Sequence, residues 1–590
     1  MEKEFFLEVY RHSLSHIMAK AVKELYGKET QIAIGPQIAD GFYYDFLMPE
    51  GVTVTNDDFK AIEDKMREIL KRREDWTRKE VSKAEAMEIF KDEKFKIELI
   101  QDLPENEIIT VYYTGDDYVD LCRGPHVDNS QDLMSVAFEI RSASGAYWRG
   151  DEKRDSLQRI YAYAFPDKQQ LKDHKNLIKE AMERDHKKVG PQLELFMFDE
   201  TAPGMPYWLP RGWKLFNAML SFWREIHEEH GYQEISAPQI QKKDLWVTSG
   251  HWAHYQDGMF VIPNSENPDD VYAVKPMNCP NAIKVYQSKG HSYKDLPLRY
   301  SEVDVIHRKE KSGELNGLFR VQMFRQDDDH TILTEDQIGA EIDDILKIAS
   351  QIYSTFGLTY VAELSTRPDD FMGDIEVWNH AEAELKSILD KYYGEGNYEI
   401  NEGDGAFYGP KIDLKMKDAL GREWQMGTVQ LDFQLPLNFD LKYIDSDGAA
   451  KRPVMIHRAI FGSFERFIGI LIENFKGAFP FWLSPYQVGI VPIRDTHNEY
   501  AKEVADTLRK AGVRVEADYA DKNMRDKIKN FKNYKDPYIL VLGDKEAEEK
   551  TVSINMRGSN KQIQGMPLAD FVEMCRVMNT EHTLELKESL

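Results

Sequence analysis

Two histidines four residues apart, His12 and His16, stand at i and i+4, so a helix would set both imidazoles on one face. A second short segment, Cys122-Arg-Gly-Pro-His126, offers a thiol and a third imidazole from a Gly-Pro turn. Read from the residues alone, these four groups could form a structural zinc site. A zinc protease does not fit, because His12-x-x-x-His16 lacks the glutamate of His-Glu-x-x-His. The middle of the chain carries a different chemistry. Ile306-His-Arg308-Lys-Glu310 is followed by a turn-forming stretch over 311–317 and then by Leu318-Phe-Arg320-Val-Gln-Met-Phe324-Arg-Gln326-Asp-Asp328-Asp-His330. Two strands joined by that loop would aim Arg308, Glu310 and Arg320 across one surface. A guanidinium fork matches phosphate oxygens, and a carboxylate can accept from an adenine amino group. A salt-bridged hairpin without a ligand is the alternative these residues leave open. Downstream, Gly462-Ser-Phe-Glu-Arg466 opens an apolar helical run and places a further arginine at a helix start, where anions are already favoured.

These groups need a large scaffold. At 590 residues the chain exceeds what one hydrophobic core supports, and several domains are expected. The hydrophobic fraction of 42% and charged fraction of 30% are those of an ordinary globular protein. No apolar run reaches the roughly 20 residues of a membrane span, and the acidic start carries no signal-peptide pattern, which places the chain in the cytoplasm. Three cysteines, Cys122, Cys279 and Cys575, are too few for a disulfide framework; Cys575 reads as a small buried hydrophobe. A net charge of −26 excludes a nonspecific polyanion binder, DNA included, so a nucleic-acid partner needs a local basic patch. Residues 522–535 are such a patch, with six basic side chains and one acidic.

The first 165 residues mix helical periodicity with strand-like runs such as Ile108-Ile-Thr-Val-Tyr-Tyr113, an α+β pattern. Residues 166–190 read as a narrow-striped linker helix stopped by Gly190-Pro191. The block 191–484 predicts a large antiparallel sheet with helices on it, including strand-like runs over 317–324 and 423–430. From 485 to 590 the order is strand, helix, strand, helix, strand, with strands at 488–491, 513–516 and 538–542. That order predicts a small doubly wound α/β domain.

With these stretches in view, the chain resembles class II aminoacyl-tRNA synthetases. Gly231-Tyr-Gln-Glu-Ile-Ser-Ala-Pro238, Arg308-x-Glu310 with its loop and strand, and Gly462 to Arg466 look like motifs 1, 2 and 3 of that class, in order. Within the class it resembles the threonyl-tRNA synthetases over nearly the whole chain. The telling stretches are Lys275-Pro-Met-Asn-Cys-Pro280, Gln326-Asp-Asp-Asp-His330, Gly405-Ala-Phe-Tyr-Gly-Pro-Lys411, Gly427-Thr-Val-Gln-Leu-Asp-Phe433 and Met455-Ile-His-Arg458. The resemblance implies a zinc ion on Cys279, His330 and His457, a set that spacing alone does not reveal. It implies Gln326, Asp328, Tyr408, Gln430 and Ser463 around L-threonine, and Arg308 and Lys411 on the α-phosphate of ATP. Glu310 and Phe324 would hold adenine, Arg320 and Arg466 the terminal phosphate, with Gln425 also in the ATP site and Mg2+ accompanying the nucleotide. A pocket without specific contacts separates threonine from its isostere valine only roughly a hundredfold; a metal that binds both amino group and hydroxyl rejects valine far more strongly.

The amino-terminal module resembles the editing domain of bacterial members. The editing pocket is then His12, His16, Cys122 and His126, lined by Tyr43, Lys96 and Asp120, and it works with water and general acid/base help. Serine keeps the hydroxyl and lacks one methyl, worth about 1–3 kcal/mol, so a second hydrolytic step is expected. The carboxy-terminal domain resembles the anticodon-binding domain of this class, with 522–535 and 543–546 where tRNA(Thr) contact is expected. A homodimer is implied by motif 1. The sequence departs from the family in three places. The resemblance starts at the editing module, without the further small domain that many members carry before it. The usual Asn-Cys-Pro-Gly-His reads Asn278-Cys-Pro-Asn281-Ala282. In the last domain Asp521 and Asn555 stand where Asn and Arg are usual. A noncatalytic tRNA-binding paralogue would have lost the ATP arginines, and this chain keeps them; an active second copy serving inhibitor resistance is not distinguished by sequence.

Overall fold

The computed structural model describes residues 2–104, 107–267, 270–418 and 421–589. It divides into two compact units, Met1–Glu180 and Ala181–Leu590, with the division inside the helix Lys168–Arg184.

The first unit is α+β. Its long helix, Glu2–Tyr26, buries Leu14, Ile17, Met18, Ala21 and Val22, the i, i+3, i+4 stripe that turns one face to a core. That face packs on the strand Gly41–Leu47, whose inward residues Phe42, Tyr44 and Phe46 alternate as strand geometry requires. Gly41–Leu47 pairs antiparallel with Ser156–Phe165, which pairs with Ala137–Tyr147. A separate three-stranded antiparallel sheet is formed by Trp76–Val81, Ile109–Thr114 and Tyr118–Leu121.

The second unit is built on an eight-stranded sheet. Its order is Gln233–Ile235, Leu298–Glu302, Asp328–Leu333, Val454–Ala459, Glu423–Asp432, Lys411–Lys417, Tyr360–Ser365 and Glu399–Asn401. Only the two outermost pairings are parallel. The helices Pro210–Glu229, Ile338–Thr355, Ile375–Tyr393 and Phe464–Asn474 close the core; Ile338–Thr355 alone buries Ile338, Ile342, Ile345, Leu346, Ala349 and Ile352. Register matters more here than strand count. Tyr300, His330, His457, Gln430, Lys411 and Ser365 are successive partners in one row across six strands. Partners in a row project to the same face, so this row lines one surface. The neighbouring pair, Asp329 and Arg458, projects to the other face, where Arg458 Nη2 lies 2.6 Å from Asp329 Oδ2 and His227 Nε2 lies 3.0 Å from it, all three buried.

The carboxy-terminal part carries the expected parallel strands, Val515–Ala517, Val488–Pro492 and Tyr538–Leu542. Two antiparallel strands that the sequence reading did not anticipate, Thr551–Met556 and Gln562–Pro567, extend the sheet. Two local expectations are corrected. The linker helix stops at Arg184, where Asp185 leaves helical geometry and caps a new helix His186–Gln192; Pro191 lies within that helix instead of ending the first. Within 317–324 only the end is strand, as part of Met323–Arg325 paired to Val305–His307, because Asn316 and Arg320 close a tight turn before it.

Arg211 fastens the helix Pro210–Glu229 to the carboxy-terminal part. Its guanidinium is buried, donates to Glu516 (2.8 Å) and Asp536 (2.6 Å), and lies 4.0 Å from the ring centre of Tyr534. Burial, only partly offset by Arg211, raises the Asp536 carboxyl to about 6. Arg211→Met leaves that carboxylate buried and unpaired, a loss of about 3–5 kcal/mol. Asp536 can escape the cost by taking a proton, and without Arg211 it does so at a higher pH, so the loss is greatest above the variant's raised pKa and shrinks as pH falls toward about 6. Thermal midpoints of both proteins at pH 7.5 and pH 5 test this: the drop should be larger at pH 7.5.

Candidate functional sites

In the second unit, Cys279 starts the helix Cys279–Tyr286, His330 sits on Asp328–Leu333 and His457 on Val454–Ala459. One donor atom from each lies within 4.8 Å of the other two, and all three residues are buried. The imidazole rings meet edge to face at 5.0 Å. The donor set fits a metal on three further observations. His330 Nδ1 is buried without a hydrogen-bond partner among the described residues. His457 Nε2 is 2.8 Å from Asp432, the carboxylate partner that ordinarily orients a metal-bound histidine. Burial, and then Asp328 and Asp432, push the Cys279 thiol up, while burial, then His457 and Lys275, hold His330 neutral. A cation would relieve the first of these shifts, since thiolate and neutral imidazole are the ligating forms. Asn281 and Ala282, where the sequence departs from the family pattern, are buried; Asn281 Oδ1 accepts from Gln241.

Asp328 flanks this centre, accepting from Asn278 Nδ2 at 3.0 Å, and burial raises it to about 6. Tyr408 lies 5.3 Å from the His457 ring, its hydroxyl pKa raised by burial and then by Cys279. Gln430 donates to the Gly409 carbonyl at 3.3 Å. Asn278, Asp432 and His251, whose ring nitrogen lies 3.9 Å from the Cys279 sulfur, were not named from sequence; for Asn278 and Asp432 adjacency to ligand motifs was the available signal.

Along the same face lies a cavity of about 360 Å3, lined by Arg308, Glu310, Arg320, Phe324, Gln326, Gln425, Ser463 and Arg466 among others. Ser463 caps the helix Phe464–Asn474 by accepting from the Arg466 amide at 3.1 Å. Gly462 just before it has φ +70°, and a Cβ there would stand 2.6 Å from the Met426 carbonyl, so the turn can fold against the strand only without a side chain. Arg308 donates to the Pro276 carbonyl and to Gln326, over the Phe324 ring at 5.3 Å. Arg320 is held by Glu310 at 2.8 Å. Burial, then Arg320 and Arg308, lower the Arg466 pKa, and three arginines against the single carboxylate of Glu310 give the lining a net positive charge. Lys411 is not among the lining residues; its ammonium pairs with Asp413 and with Asp404 (3.0 Å).

The first unit brings together a second cluster. His12, His16, Cys122 and His126 each offer a donor atom within 4.8 Å of the others. Cys122 Sγ is 3.3 Å from His12 Nε2 and 3.2 Å from His126 Nε2. Beneath them Asp120 is fully buried, 2.6 Å from Lys96 Nζ and 3.7 Å from His16 Nδ1, and it accepts from Tyr44 at 2.6 Å and Tyr118 at 3.1 Å. Burial pulls Asp120 up, but Lys96 and His16 outweigh it and hold it at about 2. Burial drives His16 down to about 3 and Cys122 up to about 12, so at neutral pH the cluster is three neutral imidazoles and a thiol over one carboxylate. Tyr43 is not part of this network. On an alternating strand it faces away from Tyr44, under Arg159 at 4.1 Å and beside Tyr161. Tyr44 is the member that strand alternation could have supplied.

An antiparallel sheet, a short hairpin whose connection carries Arg308, Glu310 and Arg320, and an arginine-bearing glycine turn together define the core of a class II aminoacyl-tRNA synthetase. Comparison agrees: residues 260–475 match the tRNA synthetase class II core domain (G, H, P, S and T), residues 487–578 an anticodon binding domain, and residues 109–161 the threonyl and alanyl tRNA synthetase second additional domain. The chain is 48% identical over 581 residues to the threonine–tRNA ligase of Thermotoga neapolitana, covering 98% of this chain and 89% of that one. It is 49% identical over 558 residues to that of Syntrophomonas wolfei, covering 94% and 86%. A crystal structure titled as the RNA binding domain of threonyl-tRNA synthetase from Cryptosporidium parvum superposes with a TM-score of 0.64 at 39% identity, over 68% of this chain and 99% of that one. The chain belongs to the threonine–tRNA ligase family.

The excess positive charge of the cavity has a direct test. Pyrophosphate should bind with an affinity that falls as salt rises, and Arg466→Met should weaken it about tenfold to a hundredfold, the worth of one charged hydrogen bond at roughly 1.5–3 kcal/mol. Titration calorimetry showing equal affinity in both proteins would place the anion elsewhere.

Proposed function

We propose that Cys279, His330 and His457 hold a zinc ion beside the threonine pocket, and that the arginine-lined cavity takes ATP, with Mg2+ accompanying the nucleotide. The observation that carries the reading is the convergence, on one sheet face, of a three-donor metal set with a cavity whose three arginines outnumber its one carboxylate. Held by these three residues, zinc would supply a Lewis acid for an amino group and neighbouring hydroxyl together, a pair that threonine offers and valine does not.

The chain's own residues do the rest. Asp328 and Tyr408 meet the amino and hydroxyl groups, and Gln430, Gln326 and Ser463 close the pocket. Arg308 and Lys411 brace the α-phosphate while the threonine carboxylate attacks it; the new carboxylate–phosphorus bond forms as the bond to pyrophosphate breaks. Glu310 and Phe324 hold adenine, Gln425 contributes to the same site, and Arg320 and Arg466 take the terminal phosphate. No covalent enzyme intermediate is needed, so positioning and preorganised charge supply the rate. The product is transferred to tRNA(Thr), read by the last domain; the protein works as a cytoplasmic homodimer, and among the described residues no helix is long and apolar enough to cross a membrane.

In the first unit, His12, the least depressed of the three imidazoles, suits a general base for water attacking the ester of Ser-tRNA(Thr), while burial leaves His16 and His126 weakly basic and fit to orient and hydrogen-bond. Cys122, with its proton held by burial, is unsuited to act as thiolate nucleophile. Lys96 and Asp120 hold His16 in place from below.

Cys279→Ser should lose bound zinc by elemental analysis and threonine-dependent ATP–pyrophosphate exchange together; retention of both would sink the metal assignment. The double variant His12→Ala, His16→Ala should charge threonine normally and accumulate Ser-tRNA(Thr). Unchanged deacylation of Ser-tRNA(Thr) by that protein would remove the hydrolytic role.

A further inference from the structure

Asp413 is fully buried on the strand Lys411–Lys417, yet its two oxygens meet four donors. Oδ1 accepts from Gln425 Nε2 at 2.7 Å and Thr428 Oγ1 at 3.0 Å; Oδ2 accepts from Ser365 Oγ at 2.7 Å and from the Lys411 ammonium. A carboxylate is tolerated in such a place only when paired and saturated with hydrogen bonds, and this one is both. Gln425 and Thr428 line the arginine-rich cavity, and Lys411 occupies the row that leads to the metal donors.

Gln425 reaches Asp413 through an irregularity. Strict alternation would put Gln430, Thr428 and Met426 on one face and Gln425 on the other. The pairing shifts between Leu414 and Lys415: Leu414 faces Gly427, while Lys415 faces Gln425, leaving Met426 as an extra residue. This bulge reverses the parity of the strand, buries Met426, and brings Gln425 to the face of Asp413 and Lys411. With its amide nitrogen donating to Asp413, Gln425 has its amide oxygen left for a ligand.

We propose that Asp413 is a positioning residue for the nucleotide: without touching it, Asp413 orients the Lys411 ammonium and the Gln425 amide at the edge of the cavity before ATP arrives. The proposal rests on the reading of Lys411 and Gln425 as nucleotide-binding groups. In the free protein the Lys411 ammonium is shared between Asp413 and Asp404, so an arriving phosphate replaces Asp404, the exposed partner, and Asp413 remains as the fixed one.

The test is a double-mutant cycle in the full chain, wild type, Asp413→Asn, Lys411→Met and both, read by ATP–pyrophosphate exchange. Asp413→Asn should lower kcat/KM for ATP by about tenfold or more, with KM for threonine unchanged within about twofold. Added to Lys411→Met it should cost less than about threefold further, because its effect runs largely through that ammonium. Losses that multiply, or a threonine KM that rises with the ATP KM, would make Asp413 a plain structural residue and leave the nucleotide reading intact. Lys411→Met with unaltered ATP kinetics would instead remove the reading of Lys411 and the proposal with it. Ser365→Ala serves if Asp413→Asn does not fold. It withdraws one donor from Asp413 without reaching the cavity and should shift KM for ATP about threefold; an unchanged KM counts against Asp413.

Discussion

The antiparallel pairing of Asp328–Leu333 with Val454–Ala459, in the register that sets His330 opposite His457, is the constraint on which the catalytic unit depends. Because side chains alternate along a strand, this one register decides two things at once. His330 and His457 share a face with Gln430 and Lys411, and Asp329 and Arg458 share the opposite face with His227. A slip of one residue in either strand would point a metal donor into the core and an ion-pair partner into the site. The buried Arg458–Asp329–His227 contact therefore acts against slippage, since neither charge could be left unpaired there without a cost of several kcal/mol.

From that register the site runs in order along one surface. At about 4.8 Å between strands, the step from His330 to Lys411 spans roughly 14 Å, enough to seat an amino acid at one end and a phosphate at the other. The two ends differ in electrostatic style. At the end with the candidate metal donors, Cys279 and His330 are kept neutral by burial, with Asp328 and Asp432 nearby. The far end gathers Arg308, Arg320 and Arg466, with Glu310 and Asp413 as the acidic groups that keep cations in place. The cluster in the first unit follows a third pattern, in which burial strips protons from imidazoles and Lys96 holds the only carboxylate ionised.

Much of this was legible before any coordinates. The i, i+4 histidines of the first helix and the helix-starting Arg466 could be placed from spacing, and the strand–helix alternation after 485 indicated a parallel sheet; Arg308, Glu310 and Arg320, expected on two strands, lie instead in the connection between Val305–His307 and Met323–Arg325. The misreadings have physical causes. Gly190-Pro191 was taken for the end of a helix, but Asp185 offered a capping carboxylate earlier and the chain turned there. Tyr43 is what the resemblance implied; the packing of Glu2–Tyr26 on Phe42, Tyr44 and Phe46 puts the other parity of the strand inward, and with it Tyr44. Gln562–Pro567 is an edge strand with a weak hydrophobic pattern, and Thr551–Met556, though buried between two strands, alternates polar and apolar residues over too short a run to stand out.

What the sequence by itself determined is the inventory and the local geometry: which segments are helix or strand, which side chains can carry phosphate, metal or proton chemistry, and that several cores are needed. These follow from short-range propensity and periodicity. Tertiary structure alone decided that Cys279, His330 and His457 meet although up to 178 residues separate them, and that a bulge at Met426 turns Gln425 toward Asp413. It also decided that Lys411 rests on two carboxylates in the free protein. The reason is that pairing register, strand parity and burial are set by contacts between distant segments, and no window along the chain contains both partners.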